Sequence, residues 1–252
     1  MPSFAHLIRF EAQEDHDVYF ADLGPDAKDA PSQGTKLPAS KTIEGLSRLG
    51  NPILSLDIPS CPPLWTKPAA SLASPGEDIP VNDFCAKSLL DYEGELVFVT
   101  SKEAKDVSVA DAKDYILGYT IGNDISCRMY QLPKYSAGQF FFAKAFDKFA
   151  PIGPILISPE IFGDGSQFAL VTKVNGEVRQ TAKFSTDMIF SPARILSHMS
   201  QGTTIPAGTA VMTGTAAGVG AFRTPKTFLQ DGDVVEVEMN GAGVLRNTIR
   251  FK

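Results

Sequence analysis

Residues 89–98, LLDYEGELVF, place two glutamates two positions apart inside an apolar run. The flanking residues favour a strand, in which successive side chains alternate between the two faces. Glu93 and Glu95 then share one face, while Tyr92, Leu96 and Phe98 point to the other. Neighbouring carboxylates repel each other unless a cation lies between them, and a hard divalent metal ion meets that need. The alternative is a simple solvated strand face, because short motifs often arise by chance.

Composition narrows the class of protein around this motif. The chain has 252 residues, 43% hydrophobic and 21% charged, which suits one large globular domain or a domain with a small appendage. A net charge of −6 without any basic cluster argues against nucleic-acid binding. No apolar run is long enough for a membrane span, and the N-terminus lacks a signal-peptide pattern. Three cysteines without metal-ligand spacing suit a reducing compartment, so we expect a cytoplasmic protein.

Strand patterns dominate the rest of the chain. SFAHLIRF and DVYFADLG, which begin at residues 3 and 17, predict a small N-terminal hairpin unit, and residues 24–52 predict a linker. Four further segments predict strands, one of them a hairpin around Asn175-Gly176: YEGELVFVT, GYTIGND, PIGPILIS and ALVTKVNGEVRQTAKF. TAVMTGTAAGVG predicts a strand that enters a glycine-rich loop, and DVVEVEMNGAGVLRNTIRF predicts the closing strands.

Two segments predict helices. SVADAKDYILGYT, residues 108–120, has Ser108 as a cap, Asp111 in a capping box and Gly118 at its end. TDMIFSPARILSHMS, residues 186–200, is amphipathic, with these plausible core residues: Ile189, Ile195, Leu196 and Met199. Many strands and two helices without regular alternation predict a mostly β (α+β) fold. We expect residues 1–55 to form the hairpin unit with its linker, and residues 56–252 to form the main domain.

A third carboxylate extends the opening motif. Asp124 ends GYTIGND, where the next loop can present its side chain at a sheet edge. Glu93, Glu95 and Asp124 offer oxygen ligands and no histidine or thiolate, a set that suits Mg²⁺, Mn²⁺ or Ca²⁺ rather than zinc. Three anionic ligands leave positions for water or substrate, as a catalytic metal requires.

The segment after Asp124 carries further polar residues. They follow at offsets of four, seven and eleven, namely Arg128, Gln131 and Tyr135. These offsets would line one helix face, but Pro133 and Gly138 disfavour a continuous helix and favour a loop or single turn over the metal. Lys144 follows in an apolar setting and requires an anionic partner.

Six ordered blocks resemble the signature blocks of the fumarylacetoacetate hydrolase (FAH) family: LLDYEGELVFVTSK, ILGYTIGNDISCRMYQ, GQFFFAKAFDKFAPIGP, VNGEVRQTAKFSTDMIFS, VMTGTAAGVG and FLQDGDVVEVEMNGAG. The resemblance covers residues 60–252, and the N-terminal hairpin resembles that of eukaryotic FAH domain-containing proteins. It implies an FAH-type mixed β-roll for residues 56–252, usually as a homodimer. It also implies activity on 2-oxo or 1,3-dioxo acids by C–C hydrolysis, decarboxylation or enol–keto isomerisation.

The resemblance assigns roles to individual residues. Glu93, Glu95 and Asp124 would hold Mg²⁺ or Ca²⁺. The substrate-binding residues implied are Arg128, Gln131, Tyr135, Lys144 and Thr215. Of these, Lys144 and Arg128 would anchor carboxylates and Thr215 would add a hydrogen bond, which makes these three the expected catalytic residues.

The sequence departs from the family pattern before PLWTKPAASL. Hydrolases and decarboxylases of the family carry a histidine and a glutamate there, on a lid that positions the catalytic water, whereas RLGNPILSLDIPSCP contains neither. We interpret His6, His16 and His198 as surface or structural residues. The general base is therefore missing or comes from elsewhere, with Asp57 as the nearest carboxylate, unless exon choice in the gene model removed the lid.

Two smaller departures concern single residues. Ala216 stands where the family usually has proline, and Cys127 where it usually has alanine. No base accompanies Cys127, so we interpret it as a small packing residue and not as a nucleophile.

These observations predict a divalent-metal-dependent enzyme of the FAH family that acts on a small 2-oxo or 1,3-diketo acid. C–C bond cleavage of an acylpyruvate-like substrate is the first hypothesis. Decarboxylation or keto–enol tautomerisation of an oxaloacetate-like acid is the alternative, because enolate formation requires no activated water. A metal-binding pseudoenzyme that has lost its lid is the third.

Overall fold

A computed structural model describes residues 59–252 in full and the backbone of four strands at 7–12, 18–22, 36–38 and 53–57. The chain divides into two compact units, Met1–Pro63 and Leu64–Lys252. Four predictions concern residues or side chains outside this description: the linker apart from residues 36–38, and the side chains of His6, His16 and Asp57.

The smaller unit contains four described strands, β1 (Leu7–Ala12), β2 (Val18–Asp22), β3 (Lys36–Pro38) and β4 (Ile53–Asp57). They form one sheet in the order β2-β1-β4-β3. β1 and β2 pair antiparallel, which confirms the N-terminal hairpin.

The larger unit contains the remaining strands, β5 (Leu72–Ala73), β6 (Asp78–Val81), β7 (Leu90–Asp91), β8 (Gly94–Thr100), β9 (Ile116–Asn123), β10 (Ser126–Cys127), β11 (Ala150–Pro151), β12 (Ala169–Val174), β13 (Glu177–Lys183), β14 (Ala210–Thr215), β15 (Val234–Met239) and β16 (Gly243–Phe251). Its helices are α1 (Asp83–Ala86), α2 (Pro133–Ser136), α3 (Phe141–Lys144), α4 (Pro159–Phe162), α5 (Phe184–Asp187) and α6 (Pro192–Met199). The predominance of strands confirms the mostly β fold class.

The described residues include no helix that is both long and apolar enough to span a bilayer.

Two sheets form most of the larger unit. One has the order β13-β12-β15-β16-β6, and the other has the order β14-β8-β9. The β16–β6 pair is parallel and the other neighbours in these sheets are antiparallel, so the pairing is mixed, as expected. Leu96 and Phe98 of β8 pack with Leu170 of β12 and Val237 of β15 in one buried core, which joins the two sheets. The alternate side chains of β8, among them Glu95, point to the opposite face of the strand.

The turn between β12 and β13 follows its sequence signal. Asn175 and Gly176 have φ values of 52° and 79°, the left-handed conformations that a type I′ turn requires. The paired strands run from Ala169 opposite Lys183 to Val174 opposite Glu177.

The predicted helix at 108–120 is wrong. A short 3-10 turn covers Ala112–Tyr115, and β9 begins at the next residue. Ser108 Oγ still donates a hydrogen bond to Asp111 Oδ2 at 2.6 Å, so the capping pair forms without an α-helix. Pairing along β8 decides the conformation, because tertiary contacts override local helix propensity.

Two other element predictions need correction. α6 begins at Pro192, with Ser191 as its cap, so Ile189 lies before the helix and is 62% exposed instead of in the core. Ile195 and Leu196 are buried as predicted. PIGPILIS does not form one strand, since β11 ends at Pro151 and Gly153 has a φ of 111°, outside the extended region.

Candidate metal centre and active site

Three carboxylates meet at the adjoining ends of β8 and β9. Glu95 is the second residue of β8, Glu93 precedes that strand, and Asp124 directly follows β9. The side chain of Asn123 accepts a hydrogen bond from the Glu93 amide at 2.9 Å, and Gly94 pairs with Asn123. Each carboxylate offers an oxygen within 4.8 Å of the others. All three residues are at most 6% exposed, which excludes the solvated-face alternative.

Lys144 lies inside this acidic group. Its Nζ donates to Glu93 Oε2 at 2.7 Å, to Asp124 Oδ2, and to Ser126 Oγ at 2.9 Å. The ammonium also lies 5.2 Å from the centre of the Trp65 ring. The sequence analysis required an anionic partner for this lysine, and the structure provides two.

Lys67 is a member of the cluster that the sequence analysis did not identify. Its Nζ donates to Asp124 Oδ1 at 2.5 Å and to the Ile125 carbonyl at 3.3 Å. Burial lowers the pKa of Lys67, although Asp124 opposes that effect. Its only sequence signal was its position in the WTKP block, since it lies 57 residues before its partner.

Arg128 connects the acidic group to a second buried carboxylate. Its Nη1 donates to Glu93 Oε1 and to Gln131 Oε1, the latter at 3.0 Å, and its Nε donates to Asp91 Oδ2 at 2.8 Å. Within the described residues its Nη2 is buried and has no hydrogen-bond partner. Both N–H groups of Nη2 are therefore unpaired within the described residues.

Asp91 holds this arginine and was not predicted from the sequence. It is fully buried, and besides Arg128 it accepts hydrogen bonds from the amides of Tyr92, Gly220 and Ala221 at 2.8–2.9 Å. The carboxylate, on β7, therefore ties Arg128, which follows β10, to the loop after β14. Nothing in DYEGE distinguished Asp91 from an exposed strand residue.

The electrostatics of the cluster differ from one carboxylate to the next. Burial, followed by repulsion from Asp124 and Glu93, raises the pKa of Glu95 well above its ordinary value. Burial acts in the same direction on Asp124, but the ammonium groups of Lys67 and Lys144 outweigh it and lower the pKa of Asp124. For Lys144, attraction by Glu93 and Asp124 outweighs burial and raises the pKa.

A hydrogen-bonded ring surrounds the peptide between the two glutamates. The Gly94 amide donates to Gln180 Oε1 at 3.0 Å, and Thr215 Oγ1 donates to the Gly94 carbonyl at 3.0 Å. Gln180 Nε2 closes the ring by donating to Thr215 Oγ1 at 2.8 Å and also donates to the Ala216 carbonyl at 2.7 Å. Thr215 therefore lies beside the glutamates, as expected, but its hydroxyl proton is already engaged.

Other predicted residues lie further out. Tyr135 is 50% exposed, and its described ring contacts are with Tyr130 and Lys134 rather than with the acidic group. Cys127 is buried, and contact with Cys85 and burial raise its pKa, so it is a packing residue. No described contact joins His198, on α6, to the carboxylates.

The donor set fits a hard divalent cation. All three ligand groups are carboxylates, and Glu95 forms no salt bridge within the described part of the chain. Asp91, Glu93 and Asp124 each pair with a lysine or an arginine, whereas Glu95 has no such partner among the described residues. A bound cation would supply the positive charge that favours the ionised form of Glu95.

The mixed β fold carries a buried carboxylate triad that could hold a metal ion, flanked by lysine and arginine, and sequence comparison gives the family. Residues 40–250 match the family described as fumarylacetoacetate (FAA) hydrolase C-terminal. The chain belongs to this family, which confirms the resemblance.

Individual relatives support the assignment. The chain is 38% identical over 193 residues to oxaloacetate tautomerase YisK of Bacillus subtilis, covering 77% of this chain and 62% of that protein. It is 32% identical over 195 residues to the mitochondrial oxaloacetate tautomerase fahd2 of Xenopus laevis, covering 77% of this chain and 60% of that protein. The chain thus spans less than two thirds of either relative. The crystal structure of 5-carboxymethyl-2-hydroxymuconate delta-isomerase from Mycobacterium smegmatis superposes with a TM-score of 0.67 at 27% identity, covering 98% of each chain.

Proposed function

We propose that this protein is a divalent-metal-dependent tautomerase that interconverts the keto and enol forms of a small dicarboxylic 2-oxo acid such as oxaloacetate. The observation that carries the proposal is the buried guanidinium of Arg128, whose Nη2 is unpaired within the described residues and whose Nη1 contacts the carboxylate triad. The names of two relatives, both oxaloacetate tautomerases, agree with it.

The residues of the chain have separate roles in this proposal. Glu93, Glu95 and Asp124 would hold Mg²⁺ or Mn²⁺. When bound, the cation supplies Lewis-acid polarisation of a 2-oxo group. Arg128 Nη2 donates a hydrogen bond to a substrate carboxylate, and its planar guanidinium suits that geometry.

The two buried lysines supply the remaining positive charge. Lys67 and Lys144 present ammonium groups beside Asp124, in a water-poor interior where fixed charges stabilise a developing enolate strongly. All three N–H groups of Lys144 have partners, so we assign it the task of holding Glu93 and Asp124 in place. The family resemblance also implies that Lys144 contacts the substrate, and this contact remains a prediction.

Tautomerisation requires no attack by water, which is why we place it ahead of C–C cleavage. Both reactions move a proton, but a hydrolase in addition needs a general base positioned to activate water. Among residues 59–252 the single histidine, His198, lies on α6, and no described contact joins it to the carboxylates. Decarboxylation of the same acid shares the enolate and is the second candidate.

The test is a comparison of three reactions on the purified protein with Mg²⁺ or Mn²⁺. Loss of enol absorbance measures tautomerisation of oxaloacetate, pyruvate formation measures decarboxylation, and loss of an acylpyruvate measures hydrolysis, each against metal without protein. We expect the first to be fastest and to stop with a chelator. Arg128→Met should lower kcat/KM by about 100-fold, the usual effect of removing one charge-stabilising donor.

Lys173→Met is the matched control, because Lys173 pairs with Glu238 on the surface of β12. Its kcat/KM should equal that of the wild type. Faster pyruvate formation would establish a decarboxylase, and faster acylpyruvate loss a C–C hydrolase. Metal binding without any of the three reactions would leave the pseudoenzyme hypothesis.

A further inference from the structure

Gln180 occupies an unusual place for a polar residue. It lies on β13, is 1% exposed, and its amide group contacts two other strands. Its oxygen accepts from the Gly94 amide and its nitrogen donates to Thr215 Oγ1 and the Ala216 carbonyl. Both N–H groups and the oxygen are thus engaged, and none of the roles proposed above requires this residue.

Gly94 is the peptide that this arrangement immobilises. It separates Glu93 from Glu95, so the orientation of its peptide planes fixes the distance and angle between the two carboxylates. No side chain fits there: a Cβ on Gly94 would lie 2.0 Å from Thr172 Oγ1 and 3.2 Å from Gln180 Oε1. The surroundings therefore restrain Gly94 both by close packing and by hydrogen bonds.

We infer that Gln180 is a positioning residue of the metal site, which acts through the Gly94 peptide to set the spacing of Glu93 and Glu95. The inference rests on the metal site of the proposed function. The ring of Gly94, Gln180 and Thr215 links β13, β14 and the start of β8, so a shift of any one of these strands changes the carboxylate geometry. Hydrogen-bonded groups just outside the ligands commonly tune metal affinity in this way.

Thr215 is part of the same hydrogen-bonded ring. Its hydroxyl proton points to the Gly94 carbonyl and one of its lone pairs receives Gln180 Nε2. Thr215 therefore holds the Gly94 carbonyl, and Gln180 holds the Gly94 amide.

The test measures Mn²⁺ binding to the wild type and to Gln180→Met, which keeps the side-chain length and removes every hydrogen bond. Titration calorimetry gives the affinity, and the electron paramagnetic resonance spectrum of bound Mn²⁺ reports its ligand geometry. We expect Gln180→Met to weaken binding by about 10- to 100-fold and to change the spectrum of the bound ion.

Two control variants separate positioning from general loss of stability. Thr172→Val changes a buried hydroxyl that touches the Gly94 site but has no described hydrogen-bond partner, so it should bind Mn²⁺ as the wild type does. Leu196→Ala removes buried apolar atoms from α6 and should lower the unfolding midpoint while leaving the Mn²⁺ spectrum unchanged.

The possible results separate a failure of the metal site from a failure of the role inferred for Gln180. If the wild type binds no Mn²⁺, the proposed metal site fails and this inference fails with it. If the wild type binds Mn²⁺ and a folded Gln180→Met binds it equally, only the inference is overturned. Should Gln180→Met fail to fold, Gln180→Asn replaces it. That shorter amide cannot span Gly94 and Ala216, and binding at wild-type strength would overturn the inference in the same way.

Discussion

Glu95 and Glu93 should respond in opposite ways to loss of charge when no metal is bound. Burial and the neighbouring carboxylates raise the folded-state pKa of Glu95, so its ionisation is more costly in the folded than in the unfolded chain. The free energy of unfolding therefore falls as the pH rises from the ordinary pKa of a glutamate to the folded-state pKa of Glu95. Glu95→Gln removes this penalty.

The size of the effect follows from the width of that pH window. Each pH unit from the ordinary glutamate pKa up to the lower of pH 7 and the folded-state pKa of Glu95 contributes about 1.4 kcal/mol, so at pH 7 with a chelator present Glu95→Gln should be more stable than the wild type. Glu93→Gln is the matched control. Glu93 pairs with both Arg128 and Lys144, and breaking such a buried pair costs about 3–5 kcal/mol.

Saturating Mn²⁺ should reverse the order. A ligand at 100 times its dissociation constant stabilises the folded state by about 2.7 kcal/mol, and Glu95→Gln forfeits this by losing a ligand. Denaturant unfolding of the three proteins at pH 7, with chelator and with Mn²⁺, checks the prediction. If Glu95→Gln is less stable than the wild type in chelator, the electrostatic argument is refuted. If Mn²⁺ stabilises Glu95→Gln as much as it stabilises the wild type, the assignment of Glu95 as a ligand is refuted.

Four further predictions concern other parts of the site and the assembly. Gly94→Ala should lower the free energy of unfolding by about 3 kcal/mol through its clash with Thr172, and Thr172→Ala in the same chain should recover part of that loss in denaturant unfolding. Asp91→Asn should lower the unfolding midpoint in a thermal scan, because three amides and a guanidinium share that carboxylate; an unchanged midpoint would show that the network contributes nothing. Lys144→Ala should abolish turnover of oxaloacetate in a metal-supplemented assay while His198→Ala keeps it, and equal losses would contradict the roles given to them. Light scattering at micromolar protein should give the mass of a homodimer, and a monomeric mass would contradict that expectation.

The carboxylate triad was predictable because its signal is local. Glu93 and Glu95 lie two residues apart, Asp124 closes a recognisable strand, and the family resemblance groups the three as one candidate cation site. The residues that support them were not predictable. Lys67 and Gln180 reach the site from 57 residues before Asp124 and 86 residues after Gly94, and a single sequence contains no trace of such pairing.

The errors in the fold have a related cause. Residues 108–120 carry a valid capping signal, but the hydrogen bonds that β9 makes with β8 outweigh it. Ile189 has helical spacing from Ile195 and Leu196, yet the helix begins at Pro192, so Ile189 lies before its first turn. At both places the local sequence favours a helix, and contacts with the rest of the fold determine where a helix actually forms.

The position of Trp65 gives the protein a built-in optical reporter. It is the single tryptophan of the chain, its ring packs edge-on to Phe140 at 5.6 Å, and the ammonium of Lys144 lies 5.2 Å from its centre. The fluorescence of an indole depends on nearby charge, so any event that displaces Lys144 from the ring changes the emission. A ligand that moves Lys144 on entering the carboxylate site would therefore be detected in real time on the unlabelled protein, by stopped-flow excitation of one residue.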